Sequence, residues 1–195
     1  MIRGLNTGVA RGSTADRGND LYETPSVAVH ALLKAENLPL RLWEPACGPG
    51  SIVRILREAG REVFATDLVD YSSEYQDESG RDFLMPFPMP EGIEGIITNP
   101  PFKNAEAFVE KAIGISGFVA MLLRLAFLES ERRCGILDDA HLARVHVFRN
   151  RLPMMHRSGQ GAIAPERQTS SALAFAWFVW DRSHEGPTHL HRISW

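Results

Sequence analysis

The most chemically specific stretch of the sequence is Asn99-Pro100-Pro101-Phe102. Consecutive prolines fix two φ angles and push the residues before them out of the helical region, so the corner is stiff and extended. The prolines carry no N–H, and their carbonyls stay available as acceptors. The amide oxygen of Asn99 and the carbonyl of Pro100 can together grip both hydrogens of one amino group. An aromatic ring at Phe102 can then stack on the plane that carries that group. A second stretch is Glu44-Pro45-Ala46-Cys47-Gly48-Pro49-Gly50. Its glycines permit a sharp turn and the close approach of a ligand to the backbone, and Glu44 can accept from a ligand ammonium. It is not the GxGxxG that binds phosphates, and no Lys-Ser/Thr follows as in a P-loop. Asp67 stands 23 residues after Glu44. That is about the spacing at which an acid accepts from ribose hydroxyls downstream of a glycine-rich turn.

Each of these stretches reads as the end of a strand. Leu40–Glu44 is a short strand, Glu62–Thr66 a second that ends at Asp67, and Gly95–Thr98 a third that ends at the proline corner. Helices fill the gaps. Thr24 is a good N-cap with Pro25 at the first helical position, and Ala28, Ala31, Leu32 and Ala35 follow at helical spacing. Ser51–Ala59 places Ile52, Ile55, Leu56 and Ala59 on one face, with Gly60 as a stop. Asn104 caps a third helix carrying Ala105, Phe108, Val109, Ala112 and Ile113, which stops at Gly114. Residues 70–92 are turns and acids with Pro86, Pro88 and Pro90, and at best a weak strand near Arg81–Leu84. Phe118–Leu123 is a continuous apolar strand, buried on both faces. Arg144–Phe148 and Leu173–Trp180 are later strands, and His189–Ser194 is an edge strand. Alternating strands and helices predict an α/β domain with a mostly parallel sheet, in which ligands sit at the carboxyl ends of the strands.

The chain has 195 residues, 44% hydrophobic and 23% charged, which fits one globular domain and excludes whole-chain disorder, collagen or coiled coil. No apolar run approaches the roughly 18 residues of a membrane helix. Cys47 and Cys134 cannot form a disulfide framework, no zinc spacing exists, and no signal peptide is evident, so the expected setting is cytoplasmic. Cys47 reads as a small apolar filler of its turn. His189 and His191 read as exposed strand residues rather than metal ligands, and Trp177 and Trp180 as core or interface. Net charge is −3, yet residues 141–168 hold five arginines against one acid, a local +4 that leaves −7 on the rest of the chain. There are 18 arginines and 3 lysines. That bias fits phosphate recognition and equally a GC-rich coding sequence. The basic stretch either meets a nucleic acid or pairs with surface acids.

In this order, Glu44–Gly50, Asp67, Asp82-Phe83 and Asn99–Phe102 resemble the amino-methyltransferases that use S-adenosylmethionine. More narrowly, the chain resembles small DNA adenine-N6 methyltransferases of phages and mobile elements, over roughly Asp20 to Trp180. Cytosine-N4 enzymes more often begin this corner with Ser, and protein-glutamine methyltransferases usually end it with Tyr where this chain has Phe102. The resemblance implies a class I methyltransferase-like (Rossmann-like) sheet, mostly parallel, with helices on both faces and an antiparallel C-terminal strand. Tyr22, Thr24 and Pro25 would pack over the methionine part of the cofactor. Glu44, Ala46, Gly48 and Gly50 would hold its amino acid end. Asp67, with Leu68, would bind the ribose, and Asp82 with Phe83 the adenine. Asn99 and Pro100, supported by Pro101, would bind the target amino group, Asn99 also bordering the cofactor, and Phe102 would stack on the target base. Arg149, Arg151 and Arg157 are the expected nucleic-acid contacts, with no metal. Residues 1–20 read as a flexible arm and 21–195 as one catalytic domain without a separate target-recognition domain. Sequence choice would then fall to the arginine-bearing insertion, the arm or a second subunit, as in a homodimer. The alternatives are an RNA adenine-N6 or DNA cytosine-N4 methyltransferase, or a non-catalytic nucleic-acid-binding module that keeps the fold.

Overall fold

The protein is described by a computed structural model covering residues 21–138, 140–153 and 173–195. The expected N-terminal arm and Arg157 lie outside the described residues.

Among the described residues seven strands form one sheet: β1 (Arg41–Glu44), β2 (Glu62–Ala65), β3 (Gly95–Thr98), β4 (Phe118–Arg124), β5 (Leu142–Phe148), β6 (Phe175–Asp181) and β7 (His189–Ile193). Their order is β2-β1-β3-β4-β6-β5-β7. The first four pair in parallel. β6 is antiparallel to both neighbours, β4 and β5. β7 then lies parallel to β5 at the edge, so the antiparallel strand is followed by one more parallel strand. From β1 the chain moves outward to β2 and then crosses back to β3. The crevice between the carboxyl ends of β1 and β3 is the topological switch point, where open α/β sheets bind ligands.

Side chains alternate across the sheet because successive strand residues face opposite sides. Leu42, Ile97, Ala120, Leu122, Trp177 and Val179 face α1 (Ser26–Ala35) and α2 (Ser51–Glu58). Trp43, Ile96, Val119, Met121, Phe178 and Trp180 face α3 (Ala105–Ile115) and the short α4 (Cys134–Leu137). Both faces are covered, which explains the unbroken apolar runs in β4 and β6. The buried indole N–H groups are satisfied: Trp177 donates to the Ala28 carbonyl at 2.9 Å and Trp180 to the Ile136 carbonyl at 2.7 Å.

Two local expectations change. Arg81–Leu84 forms a turn rather than a strand. In its place Glu78 makes an isolated parallel bridge with Thr66, which pins the loop to the end of β2. At α1 the N-cap position falls on Pro25, with φ −58° and ψ 135°. Thr24 does not cap the helix; its hydroxyl serves Asn99, 75 residues away.

Candidate functional site

The Pro45–Gly50 turn leaves β1 with Gly48 at φ 53° and Gly50 at φ 96°, both left-handed and suited to glycine. The free side of Gly50 is filled from within: a Cβ there would fall 2.2 Å from the Cβ of Tyr75. Gly50 therefore admits a protein side chain rather than a ligand. Gly48 faces the cleft, with Leu21 as its near neighbour. Asp67 locks this turn to the end of β2. Its Oδ2 accepts from the Gly48 N–H at 2.9 Å and its Oδ1 from the Val69 N–H at 2.9 Å. A carboxylate has about four lone-pair sites, so Asp67 keeps capacity for a hydroxyl donor. Burial raises the Asp67 pKa, and the backbone N–H groups around it oppose that shift.

Glu44 is fully buried beneath the turn and does not line the cleft. Burial raises its pKa to about 8. The Thr98 hydroxyl and Ala46 N–H ease the charge without reaching hydrogen-bond geometry, and Asp67 adds to the upward shift. The expectation that Glu44 meets a ligand ammonium directly is thus corrected: its carboxyl stands one layer behind the surface. Burial, reinforced by Glu44 and Asp67, also raises the Cys47 thiol far above its ordinary range, so it stays protonated and inert.

Asn99 closes the other side. Its Nδ2 donates to the Tyr22 carbonyl at 3.0 Å and to the Thr24 hydroxyl at 3.1 Å. A backbone carbonyl only accepts, so the amide nitrogen must face the 22–24 segment and the amide oxygen must face away from it. The N-terminal segment therefore orients an acceptor at the proline corner. Phe102 belongs to a stack: Tyr22 lies at 4.8 Å and 27° between planes, Phe175 at 5.8 Å, and the Arg124 guanidinium at 4.5 Å from the ring centroid.

Between these walls runs a cleft of about 760 Å³ including its open mouth. Of the expected site residues, Tyr22, Thr24, Ala46, Gly48, Asp67, Leu68, Asp82, Phe83, Asn99 and Pro101 line it. Pro25, Glu44, Gly50, Pro100 and Phe102 stand outside the lining. Asp82 accepts from the Leu84 N–H at 2.9 Å, and Phe83 borders the cleft while packing on Trp43 at 5.2 Å and Phe108 at 4.9 Å. Arg149 and Arg151 are exposed beyond the carboxyl end of β5 and do not line the cleft. Tyr71, Arg81 and Asn104 line it without having been anticipated. The loop holding Tyr71 and Arg81 has no periodicity to read, and Asn104 carried only a capping signal. Burial near Asp67 pushes the Tyr71 hydroxyl up to about 12, so it remains a donor. Among the described residues no group of three His, Cys, Asp or Glu side chains could hold a metal ion, and no helix is long and apolar enough to cross a membrane.

No family model and no curated protein matches the chain. Solved structures do. The modification subunit of a candidate type I restriction enzyme from Vibrio vulnificus YJ016 matches with a TM-score of 0.59 at 16% identity. That match covers 90% of this chain and 48% of that one, so the chain spans about half of the subunit's length. A candidate RNA methyltransferase from Pyrococcus horikoshii matches with a TM-score of 0.54 at 12% identity, over 78% and 79% of the two chains. A candidate hemolysin from Lactococcus lactis matches with a TM-score of 0.57 at 11% identity, over 89% and 93%. The fold is the Rossmann-like fold of class I methyltransferases.

Proposed function

We propose that, on this methyltransferase fold, the protein transfers a methyl group from S-adenosylmethionine to the exocyclic N6 amino group of adenine in DNA. The observation that carries the reading is the orientation of Asn99. Both amide hydrogens are committed to Tyr22 and Thr24, which leaves the buried amide oxygen as the acceptor at the corner, beside a proline carbonyl that also can only accept. Two fixed acceptors suit an amino group, which brings two hydrogens, and do not suit a hydroxyl or a thiol.

The cleft fits the cofactor. Asp67 would take the ribose hydroxyls, and Asp82 and Phe83 the adenine. Tyr22 and Thr24 would close over the methionine portion, against the Ala46–Gly48 wall. When bound, S-adenosylmethionine supplies a methyl group activated by its sulfonium. The protein's part is orientation. The lone pair of an aromatic amino group is delocalised into its ring, and hydrogen bonds to Asn99 and the Pro100 carbonyl favour the pyramidal nitrogen that attacks. Those bonds strengthen in the transition state, which is where they accelerate transfer. Neither group can take up a proton, so the one shed by the methylated nitrogen passes to water, and the corner works by geometry rather than as a general base. In duplex DNA the base must leave the stack at a cost of a few kcal/mol, which aromatic contact at Phe102 partly offsets. Arg149, Arg151 and Arg157 would contribute phosphate contacts, which give affinity without sequence choice.

The test is incubation with labelled cofactor and duplex DNA, single-stranded DNA or RNA, followed by digestion and mass spectrometry of nucleosides. N6-methyladenine from DNA is expected. Label on cytosine, or on RNA alone, overturns the substrate; failure to bind cofactor in calorimetry overturns the enzyme.

A further inference from the structure

The Phe102 ring is where a planar substrate would stack, and Arg124 already stands over it, its guanidinium carbon 4.5 Å from the ring centroid. A guanidinium is planar and weakly hydrated, so it lies on an aromatic face much as a heterocycle does. Arg124 is the last residue of β4. Its backbone is held by pairing with Phe175, while its side chain is exposed. Arg41, Arg57, Arg81, Arg133 and Arg144 each hold a carboxylate. The Arg124 side chain, among the described residues, makes neither a hydrogen bond nor an ion pair, and its anchor is the ring contact alone. An exposed cation–aromatic contact is weak enough for a better stacking partner to replace it.

We propose that Arg124 is a substrate-recognition residue of the DNA site: the target base takes the Phe102 face, and the displaced guanidinium forks onto a phosphate of that nucleotide. The inference rests on the reading of the protein as a DNA methyltransferase. Its geometry is favourable because β4 and β5 run in the same direction with β6 between them. Arg124 and Arg149 therefore leave the same edge of the sheet, two strand spacings or about 10 Å apart. A bidentate guanidinium–phosphate pair is stronger and more directional than the ring contact it replaces. The exchange thus links base capture to backbone capture.

Wild type, R124A and R124K are compared for duplex DNA binding by fluorescence anisotropy over a salt series, for KM toward DNA, and for cofactor binding by calorimetry. R124A is expected to weaken DNA binding about tenfold and to lower the log–log salt slope by about 0.9, with cofactor affinity unchanged. R124K keeps the charge without the plane or the fork, so it is expected to restore the salt slope but not the KM. Equal slopes and equal KM for wild type and R124A overturn the role of Arg124 alone. A wild-type protein that binds cofactor but not DNA, or that binds RNA in its place, overturns the DNA reading and this assignment together.

Discussion

The carboxyl edge of the sheet has two ends of opposite character. At the β2-β1-β3 end, Glu44, Asp67 and Asp82 converge on or behind one cleft, and backbone N–H groups hold Asp67 and Asp82 in place. At the β4-β6-β5 end Arg124, Arg149 and Arg151 are all exposed, with Glu129 and Glu131 exposed on the segment that leaves β4. The Asn99–Phe102 corner lies between them. The acidic end suits a cationic, hydroxyl-bearing small molecule held by fixed geometry. The basic end suits a polyanion held by movable side chains. A net charge of −3 averages the two away, so the sign of the whole chain is a poor guide to what it touches.

The comparison breaks most sharply at the corner. Asn99→Ala is expected to reduce methyl transfer about 10²–10³-fold and, by releasing Tyr22 and Thr24, to weaken cofactor binding by a smaller factor in calorimetry; equal loss of both would make Asn99 a structural residue. The acidic end comes next. Asp67→Ala removes a charged acceptor and the partner of the Gly48 N–H. It is expected to weaken cofactor binding by about 10- to 100-fold, with DNA affinity in anisotropy unchanged. At the basic end, Arg149→Ala is expected to weaken DNA binding a few-fold and to reduce the salt slope by about one, without affecting the cofactor. If it altered cofactor binding instead, the two ends would not be separate sites.

Glu44 gives a test of another kind, read in stability rather than in binding or turnover. The folded pKa of Glu44, about 8, lies above its ordinary 4.5. The folded chain thus keeps a proton that the unfolded chain releases. This contribution is complete below about pH 4.5, declines as pH rises, and is lost above about pH 8. Glu44→Gln cannot ionise. Its thermal midpoint should fall less than that of the wild type between about pH 5 and pH 9; parallel curves would mean that Glu44 is not the buried titrating group.

Much of this arrangement was legible in the residues, because short-range physics governs it. Two successive prolines fix the corner wherever it is placed. The unbroken apolar run of β4 required covers on both faces, and α1, α2, α3 and α4 supply them. Asp67 at the end of the second strand followed from spacing alone. The exceptions come from packing. Thr24 had the credentials of a helix cap, and Gly50 those of a ligand-approach glycine. Glu44 read as an exposed acceptor. In two cases a residue distant in sequence took the group, Asn99 the Thr24 hydroxyl and Tyr75 the space at Gly50, and in the third the closing of the turn buried Glu44.

The sequence by itself determined the α/β class, the strand-end positions of the turn, Asp67 and the corner, and the chemistry each can perform. Those depend on φ limits, periodicity and side-chain functional groups, all local properties. The tertiary structure alone decided which way the Asn99 amide points, what shares the Phe102 ring, and which acid faces the cleft rather than the core. Those depend on contacts across the switch point between segments about 75 residues apart in the chain, which no local pattern encodes because packing selects the partner.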